Sequence, residues 1–339
     1  MLLGRTQKED IENFTRYFSL KDELFGAKVL ITGGTGLIGS SLVRCLLALD
    51  KQIKVTIPVR DGYKADNMFD KDGNLEIIEC DLLAYLSHLK TNFDYIIHCA
   101  SPTSGKYMEE HPLETYTLAI DSTRMILDYG SRHKVKSIVY ISSIECYGQI
   151  FTTNLLSESD QGYIDLSSPR SSYPMGKRSA EYLCVAYAIQ KKIPVRIARL
   201  TQTFGAGISK NDNRVFAQFA RSIVEGRDIV LHTLGESAKP YLYTTDCVEG
   251  LLYILLKGVD GEVYNVANDD SFVSIRSLAE YLCAEFNPEV KVRVELHPEM
   301  GYAPITILNL SSAKLKSLGW SPHYDLHTMF ERLIKSLRE

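Results

Sequence analysis

Lys28-Val29-Leu30-Ile31-Thr32-Gly33-Gly34-Thr35-Gly36-Leu37-Ile38-Gly39 is the stretch whose reading decides the fold. A short apolar run ends in a glycine cluster, and a helical pattern starts at once, with Ile38, Leu42, Leu46 and Leu49 on one face. Gly34, Gly36 and Gly39 satisfy G-x-G-x-x-G, while Gly33, Gly36 and Gly39 give the looser G-x-x-G-x-x-G spacing. The physics is the same for both. Glycines let the backbone turn tightly and approach a pyrophosphate, whose charge then meets the bare N–H groups of a helix N-terminus. With a strand before it and a helix after it, the stretch reads as a dinucleotide-binding turn and not as a plain glycine-rich connection. Gly33, Gly36, Leu37, Ile38 and Gly39 are its candidate cofactor-binding residues.

Working outward, 53–61 predicts a second strand that ends on Arg60-Asp61, with Pro58 marking a local irregularity. An acid at this distance from the glycines bonds the adenosine ribose, whereas an arginine pairs with a 2′-phosphate. NAD and NADP both stay open, and Arg60 tips the reading toward NADP. A third strand over 75–82 ends on Asp81-Leu82; the Asp81 carboxylate is placed either to accept from the adenine amino group or to cap the next helix. The fourth, 93–101, ends on the small residues Ala100 and Ser101, which let a cofactor lie close, and its His98 reads as a satisfied strand-end histidine. The fifth, 135–143, is a continuous apolar run of the kind buried on both faces of a sheet. It delivers Ser142 and Ser143 to the C-terminal edge, where open α/β sheets bind ligands.

Tyr173-Pro174-Met175-Gly176-Lys177 follows, with Pro174 suited to a first helical turn and Tyr173 and Lys177 four apart on one face. An ammonium beside a phenol favours the phenolate, so the Tyr173 pKa is expected to fall from about 10 toward neutrality. Tyr173 would then exchange a proton with a substrate hydroxyl held by Ser143, while a hydride leaves the same carbon. A sixth strand spans 193–199, and 263–267 reads as the last one, with helices around 215–223, up to Leu256, at 275–285 and at 325–338. The fold class is therefore α/β: a Rossmann, doubly wound parallel sheet with a smaller α+β substrate lobe interleaved into it. The Rossmann domain is assigned to 26–201 plus 241–267, the substrate lobe to 202–240 plus 268–339, and an N-terminal helical extension to 1–25.

Bulk properties narrow the function classes. The 339 residues are 45% hydrophobic and 24% charged, an ordinary globular composition. A net charge of −4 gives no basic field for nucleic acid. The seven cysteines are scattered without C-x-x-C, which suggests buried reduced thiols and neither a disulfide framework nor a zinc site. No apolar run is long enough to span a bilayer, and the N-terminus carries no secretory core, so a cytoplasmic location without membrane attachment is expected.

Together these residues resemble the extended short-chain dehydrogenase/reductases, the NAD(P)-dependent sugar-nucleotide epimerase and dehydratase group. The resemblance runs from Val29 to about Trp320. It rests on Thr32 through Gly39, Asp81, Ser142-Ser143-Ile144-Glu145-Cys146-Tyr147-Gly148, Tyr173 through Lys177, and Leu318-Gly319-Trp320-Ser321-Pro322. Within the group the chain is most similar to UDP-glucuronate decarboxylases, through His98-Cys99-Ala100-Ser101-Pro102-Thr103, Ser168 through Tyr173 and Asn211-Asp212-Asn213-Arg214-Val215. The resemblance implies a transient keto intermediate, with Ser143, Tyr173 and Lys177 catalytic and Glu145 as a second acid/base. It also implies a nucleotide sugar contacted by Thr103, Ser143, Gln202, Asn213, Arg214 and Lys239, and a homodimer paired through helices that include the Tyr/Lys helix.

The chain departs from the decarboxylase pattern at Gln202, where those enzymes carry Asn, and at Lys239, where they carry Arg. Ala119 stands at the usual cofactor-side asparagine, and Ile144 breaks the acid pair typical of 4,6-dehydratases. Epimerisation, decarboxylation and outright NADPH-dependent reduction of a nucleotide-linked sugar or polyol precursor all remain readings. A non-catalytic dinucleotide sensor is the alternative from another class.

Overall fold

The computed structural model describes residues 3–102, 104–297 and 305–339. Seven parallel strands form the central sheet: β1 (Lys28–Thr32), β2 (Lys54–Val59), β3 (Leu75–Glu79), β4 (Tyr95–His98), β5 (Ser137–Ser143), β6 (Val195–Leu200) and β7 (Val263–Val266). Their spatial order is 7-6-5-4-1-2-3. The order reverses between β1 and β4, the crevice position at which doubly wound sheets bind dinucleotides.

Both faces of the sheet are covered, and the strand sequences show why. In β1, Val29 and Ile31 face one core with Leu42, Val43 and Leu46 of the Leu37–Ala48 helix, while Leu30 faces a second core with Ile96, Ile126 and Ile138. β5 divides the same way, Val139 and Ile141 to the first core and Ile138 and Tyr140 to the second. Alternate residues must therefore all be apolar, which produces continuous apolar runs instead of a polar–apolar alternation. The first core is closed by the Thr244–Lys257 helix and by Phe14 and Phe18 of the N-terminal segment; the second by the Pro112–Arg132 and Ser172–Lys191 helices.

Pro58 causes no irregularity. The β2–β3 register runs unshifted from Val55↔Leu75 to Val59↔Glu79. Lys54 N–H points to β1 and Val55 N–H to β3, so Pro58 lies on the β1 side, beyond the last β1–β2 pair, Leu30↔Thr56. Its missing donor falls just past the point where β1 and β2 stop pairing.

The strand at 263–266 is not the last. Short strands at Val273–Ser274, Val292–Val294 and Ile307–Leu310 follow it, and Phe151–Leu156 forms another beside them. Val273–Ser274, Ala238–Lys239, Ile307–Leu310 and Phe151–Leu156 make a four-stranded sheet in that order. A separate apolar cluster from Phe204, Phe216, Phe219, Leu278, Leu282, Phe330 and Leu333 holds the later helices together. Trp320 is buried, and its indole N–H donates to the Asp246 carbonyl at 3.1 Å, which ties the Leu318–Pro322 stretch to the Thr244–Lys257 helix. The N-terminal helix, Arg5–Tyr17, is integral too: buried Asp10 accepts from the Tyr243 hydroxyl at 2.6 Å and from Arg332 at 2.5 Å. Among the described residues no helix is long and apolar enough to cross a membrane.

Candidate active site

The glycine turn joins β1 to the Leu37–Ala48 helix. Gly33 has φ +70°, and a side chain there would meet the Ala100 backbone nitrogen at 2.9 Å. Gly39 packs so closely on the Gly33 carbonyl that a Cβ would overlap it. Two different constraints, a left-handed backbone and a close approach, thus demand glycine. Gly36 is the N-cap and supplies no side-chain cap, so the first-turn N–H groups of Leu37 and Ile38 are left for an anion. Across the crevice, Ala100 N–H donates to the Thr32 hydroxyl at 3.2 Å, and the Ser101 hydroxyl is buried without a partner. An orphaned buried donor beside a glycine cradle is what a dinucleotide site requires before the ligand arrives. His98 is satisfied on both sides, by Thr32 at 2.6 Å and Ser122 at 3.0 Å, and burial pulls its pKa down to about 3. It is a neutral structural group.

At the adenosine end, Asp81 accepts from Ala84 N–H at 3.0 Å and Asp61 from Lys64 N–H at 2.8 Å, so each caps a helix. Leu82 begins the helix that Asp81 caps and packs against the second core. Arg60 is exposed at the end of β2.

Ser143 ends β5 and starts a 3-10 turn, Ile144–Tyr147, its hydroxyl accepting from Glu145 N–H at 3.2 Å. The Ser172–Lys191 helix brings Tyr173 to it. The Ser143 hydroxyl faces the Tyr173 phenol and favours its ionised form, yet burial above all, and then the Glu145 charge, hold the phenol above its ordinary value. This reverses the expectation drawn from the Tyr–Lys spacing. Lys177 does not offset that burial: its ammonium donates to the Ile141 carbonyl at 2.8 Å and stands 5.7 Å from the Tyr173 ring centre.

Lys177 is itself buried, and burial pulls its pKa down to about 8. The native chain therefore binds fewer protons here than the unfolded chain between about pH 8 and the ordinary lysine value near 10.5. Stability rises with pH through that window, and below it the buried cation costs the full amount. Lys177→Met is expected to melt higher than the wild type at about pH 7, by about 1–3 kcal/mol after the loss of one hydrogen bond, and the gap is expected to close toward about pH 10. Melting curves of both proteins at the two pH values check this; a gap that does not change with pH refutes it.

Glu145 is held by Arg170, whose Nη2 donates to both carboxylate oxygens at 3.0 and 2.7 Å. Lys239, on the short strand Ala238–Lys239, feels that same carboxylate, while burial lowers its own pKa. Gln202 sits at the start of the Gln202–Phe204 strand, paired with Tyr241. Arg214 is engaged elsewhere: it grips Asp212 at 2.6–3.1 Å and reaches the Thr203 carbonyl at 3.4 Å, with Asn213 exposed beside it. The structure thus gathers Ser143, Glu145, Tyr173, Lys177 and Lys239, while Arg214 is engaged with Asp212 and the Thr203 carbonyl. Thr103 lies outside the described residues.

Four supporting residues escaped the sequence reading. Arg170 lies over the Tyr173 ring at 5.6 Å. Arg178 clamps the Ile144–Tyr147 turn by donating to the carbonyls of Cys146, Tyr147 and Gly162. Glu181 accepts from Arg199 at 2.7–3.2 Å and from the Ser142 hydroxyl. A signal for Glu181 was present: it follows Lys177 by four on a face otherwise built from Ala180 and Cys184, where a charge needs a buried partner.

The family model for the NAD dependent epimerase/dehydratase family matches residues 29–267. Among curated proteins, the chain is 30% identical over 285 residues to UDP-glucuronic acid decarboxylase 1 of Xenopus tropicalis, covering 81% of this chain and 66% of that protein. It is 30% identical over 305 residues to UDP-glucuronic acid decarboxylase 6 of Arabidopsis thaliana, covering 88% and 85%. The solved UDP-glucuronic acid 4-epimerase of Bacillus cereus, in complex with NAD, shares the fold with a TM-score of 0.73 at 24% identity, covering 92% of this chain and 98% of that one.

Proposed function

The chain belongs to the NAD dependent epimerase/dehydratase family, and from that premise we propose that it modifies a nucleotide-linked sugar through a transient keto intermediate. The observation that carries the reading is the meeting of Ser143 and Tyr173 above Lys177, at the C-terminal edge of the sheet that also presents the glycine turn. The dinucleotide supplies a hydride acceptor and donor. Ser143 and Tyr173 hold a sugar hydroxyl between them; in its ionised form, which Ser143 and Arg170 favour against burial, Tyr173 would take its proton as the carbon is oxidised. Lys177, anchored on Ile141, keeps a positive charge under the ring. The new ketone acidifies the neighbouring carbon, and Glu145, paired with Arg170, serves as the second base. The test is incubation with dinucleotide and a panel of UDP-, dTDP-, CDP- and GDP-sugars, with products read by mass and stereochemistry. Loss of carbon dioxide or water, or a new stereoisomer of equal mass, supports the keto route. Net NADPH oxidation selects the reductase, and dinucleotide binding without turnover of any sugar selects a sensor.

Decarboxylation of a nucleotide-linked uronate is the second reading. Arg170 and Lys239 set two cations around the single carboxylate Glu145, and Arg170 Nη1 is buried with no partner. A sugar carboxylate would satisfy both; Lys239 serves it as a point charge where an arginine fork would grip two oxygens.

For the cofactor, Arg60 favours NADP, since the adjacent Asp61 is occupied as a helix cap. Arg60→Ala is expected to weaken NADP several-fold more than NAD in a binding titration; equal weakening removes the 2′-phosphate argument. The protein is read as a cytoplasmic homodimer: its seven cysteines are free. The packed Pro112–Arg132 and Ser172–Lys191 helices leave the apolar side chains of Leu113, Tyr182 and Ile189 exposed at 69%, 75% and 67%, available for pairing.

A further inference from the structure

Arg170 touches two members of the site and belongs to neither element that carries them. It sits in the 3-10 turn Pro169–Ser171, ahead of the Tyr173 helix, while Glu145 follows β5. Its guanidinium carbon lies 5.6 Å from the Tyr173 ring centre, and its Nη2 is bonded to both Glu145 oxygens. The ion pair is only part-buried, at 33% and 42% side-chain exposure, so as a surface pair it would add little stability. Its placement against the phenol gives it another use. Glu145, placed as it is to serve as a base, brings a negative charge to the one hydroxyl that must itself become negative.

We propose that Arg170 is a positioning residue of this active site: set between Glu145 and the Tyr173 ring, its guanidinium fixes the carboxylate and offsets that carboxylate's charge at the Tyr173 hydroxyl. The proposal rests on the catalytic reading of Tyr173 given above. Around Tyr173 the other facing groups are Ser143 and Cys146 from β5 and its turn, Tyr140 from β5, and Lys177 from the same helix. Cys146 and Tyr140 are kept protonated by burial, so Lys177, Glu145 and Arg170 carry the local charge. Glu145 raises the Tyr173 pKa and Arg170 lowers it, opposite in sign as the geometry requires. Lys239 faces Glu145 from the small sheet and takes part through it.

The experiment places a ring-fluorinated tyrosine at position 173, whose more acidic phenol titrates where the protein is folded, and follows it by fluorine NMR in NAD-loaded full-length protein. Arg170→Gln is expected to raise the midpoint by about 1 pH unit. Glu145→Gln is expected to lower it, and the Arg170→Gln/Glu145→Gln pair to return close to the parent. Arg170→Lys, which keeps the charge, is expected to hold the parent midpoint while lowering turnover through a looser Glu145. An Arg170→Gln midpoint equal to the parent's, or a double variant that keeps the single variant's shift, overturns the proposal. The titration needs no substrate. A parent that turns over no nucleotide sugar yet shows these shifts costs the functional reading and leaves Arg170 in place; turnover with unmoved midpoints does the reverse.

Discussion

Tyr173→Phe is expected to lower turnover of the accepted nucleotide sugar by about 10²–10⁴-fold, the usual contribution of a positioned proton-transfer group. The ring remains, so the packing of Arg170 and Lys177 around it, at 5.6 and 5.7 Å from its centre, is retained. What is lost is the oxygen that faces Ser143. Dinucleotide affinity, set by the glycine turn and the Ser101 side of the crevice, is expected to stay within a few-fold. Because the phenol acts where the proton moves, kcat and kcat/KM should fall together, with KM little changed. Burial first, then Glu145 and Cys146, hold this phenol above its ordinary value, while Ser143 and Arg170 favour the phenolate that the proton transfer needs. Steady-state kinetics with the sugar identified by the panel, alongside melting curves to show an intact fold, measure the change. A Phe variant with full activity would show that the proton goes elsewhere and would remove the Ser143/Tyr173/Lys177 assignment.

What was legible in the sequence follows from how local each signal is. The glycine turn, the strand ends and the Tyr–Lys spacing are short-range patterns, and a parallel sheet buried on both faces writes its strands as plain apolar runs, as in β1 and β5. The order 7-6-5-4-1-2-3 then follows from the doubly wound class. Three things were not legible. Three of the four strands of the small sheet are two to four residues long and, like Ala238–Lys239, too short to show alternation. The Lys177 ammonium turned to Ile141 because a backbone carbonyl at the end of β5 lay within reach, which spacing along one helix does not reveal. Arg170 and Arg199 gain their meaning from carboxylates 25 and 18 residues away, a pairing that only the folded chain makes.

Arg199→Met is expected to destabilise the protein by about 3–5 kcal/mol, the cost of leaving a buried charge without its partner. Arg199 and Glu181 are each only 6% exposed, joined by three hydrogen bonds of 2.7–3.2 Å, and the Ser142 hydroxyl donates to the same carboxylate. Arg199 also donates to the Glu158 carbonyl at 2.9 Å and lies over the Tyr147 ring at 4.7 Å. Removing the cation strands Glu181 between a sheet strand and a helix, with one serine hydroxyl to satisfy it. Methionine fills most of the space, so the loss reads charge more than volume. Adding Glu181→Met to Arg199→Met removes the stranded carboxylate and is expected to recover most of the loss, because the pair's attraction does little more than offset its own desolvation. The exposed Arg5–Glu9 pair is the contrast: Arg5→Ala should change stability by less than about 1 kcal/mol. Denaturant midpoints of the four proteins decide it, and an Arg199→Met midpoint close to the wild type would mean that the pair is not buried as a charge. The consequence reaches the chemistry, since Ser142 precedes Ser143 on β5. A Glu181 carboxylate released from Arg199 shifts the Ser142 hydroxyl bonded to it and the neighbouring Ser143, so Arg199→Met should lose activity at temperatures where it is still folded, and the double methionine variant, in which Ser142 loses that acceptor, should regain fold before it regains rate.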